Sequence, residues 1–134
     1  MKKQKRKANP DEASDRFEPG GVPIQIIDRA AVDWDNLQPG QAWWTHEADM
    51  EGVVRLTFIC PGGCGDAGGC RAKVGKKPER GPIWQWNGDR EKPTLEPSIL
   101  SPRYKGGCGW HGYLQNGIFR QLKGPKNQCQ GPKE

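Results

Sequence analysis

Histidine is scarce in this 134-residue chain: there are only two, against five cysteines. Long apolar runs are missing altogether. No stretch approaches the roughly 18 residues needed to cross a bilayer as a helix, so a membrane span is not expected. The basic N-terminus carries no apolar segment of the kind that marks a secretory signal. Apolar side chains are few, at 33% of residues, whereas 19 glycines and 12 prolines favour turns and short strands over long helices. A core this thin benefits from a staple. Six tryptophans supply much of the available apolar area.

The net charge of +5 is concentrated at the ends. Residues 1–16 hold six Lys/Arg against three Asp/Glu, and residues 120–134 hold four against one. Between them, residues 17–119 hold eleven against twelve. A folded part so close to neutral lacks the overall basic face that nucleic-acid binders normally present.

Hydrophobic patterning predicts a mostly β domain over residues 19–122, a small metal-stapled antiparallel barrel or sandwich of six or seven short strands. It is flanked by a basic, disordered tail over 1–18 and a flexible C-terminal tail over 123–134. Val22–Ile27 and Ala42–Thr45 read as short strands, with at most one helical turn between them. Gly52–Ile59 is the strongest candidate: Val54, Leu56 and Phe58 alternate with Arg55 and Thr57. Residues 61–82 read as a long Gly- and Lys/Arg-rich loop. Prolines at 93, 97 and 102 suggest extended chain with at most an edge strand around Ser98–Leu100. Tyr113–Gln115 and Ile118–Arg120 flank Asn116-Gly117, the link most typical of a two-residue hairpin turn.

Cys60-Pro-Gly-Gly-Cys64 and Cys108-Gly-Trp-His111 each put two soft metal ligands within one tight turn. Three thiolates and an imidazole complete a tetrahedral structural zinc site, so Cys60, Cys64, Cys108 and His111 are the expected ligands. Cys70 is a substitute ligand, and Cys129, in the polar tail, reads as a free thiol. An iron–sulfur cluster is the alternative cofactor, but C-x3-C lacks the second histidine of a Rieske centre. Spacings that resemble ligand pairs more than a disulfide ladder point to a reducing, cytoplasmic setting. His46, beside Glu47 and Asp49, reads as a surface histidine with an acid/base role as the sharper alternative. No G-x-S-x-G, P-loop or H-E-x-x-H motif occurs.

A second constellation is basic and aromatic. Arg71, Lys73, Lys76, Lys77 and Arg80 make the one basic cluster inside the folded region, and Trp84, Trp86 and Trp110 lie nearby in sequence. Exposed together, they would form a stacking platform for single-stranded nucleic acid or a groove for a peptide. Buried, the tryptophans would build the core.

Taken together, F-x-C-P-x-G-C-G at 58–65, W-x-W-N-G…P-T-L-x-P-S-I at 84–99 and C-G-W-H-G-Y-L-x-N-G at 108–117 resemble a family of small phage and bacterial proteins. Some members carry the label "ammonia monooxygenase". The resemblance implies a small metal-binding domain with Cys60, Cys64, Cys108 and His111 as ligands, and relatives occurring beside bacterial ubiquitin-like conjugation genes. Two histidines are too few for the copper or di-iron centre that the label would require. The expected function is a phage-encoded, zinc-binding accessory or adaptor protein with a protein or nucleic-acid partner. The alternative is a metal-dependent enzyme or iron–sulfur redox protein.

Overall fold

The computed structural model describes residues 16–75, 82–101, 106–124 and 129–131. Nine strands form a single sheet: β1 (Val22–Pro23), β2 (Gln25–Ile26), β3 (Gln41–His46), β4 (Val54–Ile59), β5 (Ala67–Val74), β6 (Trp84–Trp86), β7 (Leu95–Leu100), β8 (His111–Gln115) and β9 (Ile118–Gln121). One 3₁₀ turn, Arg29–Ala31, is capped by Asp28, whose carboxylate accepts from the Ala30 N–H at 2.9 Å. No α-helix occurs among the described residues, and no helix is long and apolar enough to cross a membrane.

The sheet runs β1-β9-β8-β7-β6-β5-β4-β3-β2 and nearly closes into a barrel. Closure is the work of one short segment. Val22 and Pro23 pair with Phe119 and Ile118 of β9, while Gln25 and Ile26 pair with Gln41 and Ala42 of β3. The two ends of the sheet therefore meet on neighbouring residues, which removes open edges that invite intermolecular pairing. Phe17 is buried and bridges Leu122, so the described chain enters and leaves side by side.

Alternation decides what lies inside. Val54, Leu56 and Phe58 point into the barrel from β4, meeting Cys70 and Ala72 of β5, Leu95 and Ile99 of β7, Leu114 of β8 and Phe119 of β9. The Phe58 and Phe119 rings lie 5.1 Å apart, and Trp110 meets Phe119 edge-on at 6.0 Å. The β8–β9 hairpin turns on Asn116 (φ 49°) and Gly117 (φ 77°), the two left-handed residues that a tight hairpin needs.

Three expectations are corrected. Residues 67–74, expected as loop, form β5, the longest strand. Gly68 belongs there because a Cβ at that position would crowd the Phe58 ring. β7 is an interior strand between β6 and β8 rather than an edge, and Pro97 sits where its register with β8 shifts between Leu95 and Ile99. Among the described residues the count rises from six or seven to nine, because β5 is added and the expected strand at 22–27 divides into β1 and β2. The N-terminal tail expected over 1–18 falls outside the described residues up to position 15.

The aromatic cluster at the barrel's centre sets its stability. Phe119→Ala should lower the unfolding free energy by about 3–5 kcal/mol, read from the urea midpoint. A loss below about 1 kcal/mol would mean the Phe58–Phe119–Trp110 contact is not the core's keystone.

Candidate active site and metal centre

Cys60 follows directly on β4, and Cys64 lies within the turn that leads to β5. The turn is held by the Cys60 N–H donating to the Asp66 carbonyl at 2.8 Å and the Gly63 N–H donating to the Cys60 carbonyl at 3.1 Å. The Gly62 N–H points at the Cys60 sulfur, 3.3 Å away. A side chain at Gly62 would collide with the sulfur of Cys129, so glycine is required by close approach. Cys108 arrives just ahead of β8, and Cys129 arrives from the C-terminal segment.

The Cys60 sulfur lies 3.5 Å from that of Cys108 and 3.6 Å from that of Cys129. All four sulfurs, of Cys60, Cys64, Cys108 and Cys129, lie within 4.8 Å of one another. Four metal–sulfur bonds of about 2.3 Å in a tetrahedron set sulfurs about 3.8 Å apart. The cluster matches that scale, and it could hold a metal ion.

Electrostatics agree with that reading. Burial drives the Cys60 thiol far above its ordinary range; the Gly62 N–H opposes this, and the Cys108 and Cys129 thiols reinforce it. Burial pushes Cys64 up to about 11 against the pull of the Asp66 backbone. Burial also opposes ionisation of Cys129, but the Gly131 backbone and the Cys60, Cys108 and Cys64 thiols together outweigh it and hold Cys129 low. Metal binding would release the thiol protons.

The ligand set expected from sequence is thus corrected at one position. Cys129 supplies the fourth sulfur, and His111 is not in the cluster. Residues 109–111 run out of the turn, so His111 becomes the first residue of β8, opposite Leu100 of β7. Cys129 is no isolated thiol. Cys70 is not a substitute ligand either: it is 1% exposed inside β5, its thiol pushed up to about 12 by burial.

His111 has a different neighbour. Its Nε2 lies 3.1 Å from the Ser98 hydroxyl. Strand pairing explains why. Leu100 faces His111, and Ser98, two residues earlier on β7, shares the face of Leu100 and so sits diagonally across from the imidazole. The neighbouring Ile99 and Gly112 are buried, which puts Ser98 and His111 on the outer face. The Trp84 indole N–H donates to the Ser98 carbonyl at 3.2 Å and fixes the backbone beneath the hydroxyl. With its proton on Nδ1, His111 accepts from Ser98, the geometry of a nucleophile and its general base.

The residues expected to bind a partner are scattered. Trp86 and Trp110 are buried, at 8% and 1% exposure, which takes them off any stacking platform. Trp86 stacks on Trp44 at 4.7 Å, with the Arg90 guanidinium over both rings. Trp84 is half-buried beside Ser98. Arg71 and Lys73 are half-buried on β5, Arg71 donating to the Met50 sulfur at 3.5 Å. Lys76, Lys77 and Arg80 lie outside the described residues. His46, at the end of β3, is exposed.

Ser98 lies inside the P-T-L-x-P-S-I motif but carries no catalytic signature of its own, because its partner His111 lies on the next strand, 13 residues away. Cys129 offered one faint signal, a cysteine followed closely by glycine, as in the other ligand turns.

A serine hydroxyl within hydrogen-bond distance of an imidazole is one element of the arrangement that serine hydrolases use. The chain belongs to the family described as "Bacterial ubiquitination-like system serine protease (BubE)", whose model matches residues 28–122. No curated protein and no solved structure matches it significantly.

The two candidate roles of His111 separate cleanly. The purified chain should carry one metal ion; Cys129→Ser should lose it, and His111→Gln should keep it, by elemental analysis. The reverse pattern would return His111 to the ligand set.

Proposed function

We propose that this protein is a serine peptidase of a bacterial ubiquitination-like system, with Ser98 as nucleophile, His111 as general base and a structural zinc in the four-cysteine site. The Ser98–His111 hydrogen bond of 3.1 Å carries the reading. The family description agrees with it. In the reaction, the Ser98 oxygen attacks the substrate carbonyl carbon and its proton passes to His111 Nε2. Collapse of the tetrahedral intermediate breaks the bond to the leaving amine, which takes the proton back from His111. Water then attacks the acyl-serine, again deprotonated by His111, releasing the acid and restoring the serine.

Zinc suits the cysteine cluster because four protein sulfurs close a tetrahedron and leave no position for a substrate or water. Its role here is to hold chain together. The cluster ties the β4–β5 turn to the approach of β8, where Cys108 stands three residues before His111. The adaptor reading loses support, since two of the three tryptophans it depended on are core.

Reaction with a small fluorophosphonate tests the pair directly. Wild type should be labelled at Ser98; Ser98→Ala should abolish labelling, and His111→Gln should slow it by about 10²–10⁴-fold. Both variants should melt within a few degrees of wild type, since neither side chain is in the core. Unchanged labelling of Ser98→Ala would overturn the assignment.

A further inference from the structure

β6 is far shorter than the strands on either side. It pairs with Ala72–Val74 of β5 and with Leu95 and Glu96 of β7, and no further. Ahead of Trp84, residues 67–69 of β5 and 98–101 of β7 face each other with no strand between them among the described residues. The gap is a cleft of about 320 Å³ lined by Ala67, Gly68, Gly69, Trp84, Leu100 and Ser101, with Phe58 and Ile99 at its floor.

Hydrogen-bond alternation decides which backbone groups face this gap. The Ser101 N–H donates to the Trp110 carbonyl, so Ser101 addresses β8 and its neighbour Leu100 addresses the cleft. The Cys60 N–H donates to the Asp66 carbonyl, so Asp66 and Gly68 address β4 while Ala67 and Gly69 address the cleft. Both walls therefore present strand-type donors and acceptors. Leu100 is 47% exposed, an apolar side chain left open directly between Ser98 and the cleft.

We propose that the cleft receives the substrate as an inserted strand: an extended peptide segment that continues the line of β6 between β5 and β7, leading its scissile carbonyl to Ser98. The proposal rests on the reading of Ser98 and His111 as a nucleophile and its base. Strand addition supplies affinity through main-chain hydrogen bonds and specificity through alternate side chains. Here the inward-pointing side chain would meet Phe58 and Ile99, both buried, so the cleft selects glycine or alanine there. Outward-pointing side chains pass beside the Arg55 guanidinium, which lies over Gly69. A folded loop or a helix cannot use the two walls at once, so the substrate is an unstructured tail or linker.

The test uses the wild-type full chain and three tetrapeptide amides with a fluorogenic leaving group: Ala-Ala-Gly-Gly, the same peptide N-methylated at its third residue, and Ala-Ala-Val-Gly. Labelling by the small fluorophosphonate is measured alongside, because that reagent needs no cleft. N-methylation and valine should each lower kcat/KM by about tenfold or more, the scale of one lost backbone hydrogen bond with its unsatisfied partner. Equal turnover of the three peptides by a chain that still labels at Ser98 would overturn the inserted strand and leave the peptidase reading standing. Absence of labelling at Ser98 would overturn both.

Discussion

Four cysteine sulfurs lie within 4.8 Å of one another at the point where three segments of the chain meet, and together they could hold a metal ion. Burial works against every ionised thiol, and each thiolate works against the next. A divalent cation bound there would reverse the sign of both effects. Much else depends on the cluster. It fixes the end of β4, the start of β8 and the returning C-terminal segment to one point, in a barrel whose apolar content is low. The hydrophobic centre of Phe58, Leu114, Trp110 and Phe119 fills the inside and is continuous with Cys60 and Cys64, against which Cys108 and Cys129 pack.

The reactive pair follows from ordinary sheet geometry. Ser98 and His111 need no strained turn, because antiparallel pairing places diagonal residues of one face within reach. Register is what makes the pair, since a one-residue slip of β8 against β7 would turn His111 into the barrel. The registers of β7 and β8 are held by the buried neighbours Ile99 and Gly112 and, through Cys108, by the sulfur cluster. The cysteine cluster and the Ser98–His111 pair thus both bear on the start of β8 without sharing a residue.

The same sheet is incomplete at one place. β6 contributes three residues where β5 contributes eight and β7 six, and the shortfall opens beside Ser98. Among the described residues, the short β6 and the Ser98–His111 contact lie on neighbouring stretches of β7.

Local pattern carried a good deal of this protein by itself. The alternation of Val54, Leu56 and Phe58 determined β4 and its buried face, and Asn116-Gly117 determined the β8–β9 hairpin. The gathering of Cys60, Cys64 and Cys108 was legible too, because ligand turns are built from residues close in sequence with glycines between them. The tertiary structure decided the rest. Whether His111 or Cys129 completes the cluster depends on whether residues 109–111 turn back or run into a strand, and on where a segment 21 residues beyond Cys108 returns. Whether tryptophans face core or solvent depends on which strands cover them. Ser98 gains meaning only from the pairing of β7 with β8. Spacing along a chain reports neighbours within a turn; neighbours across a sheet are set by register, which no single strand encodes.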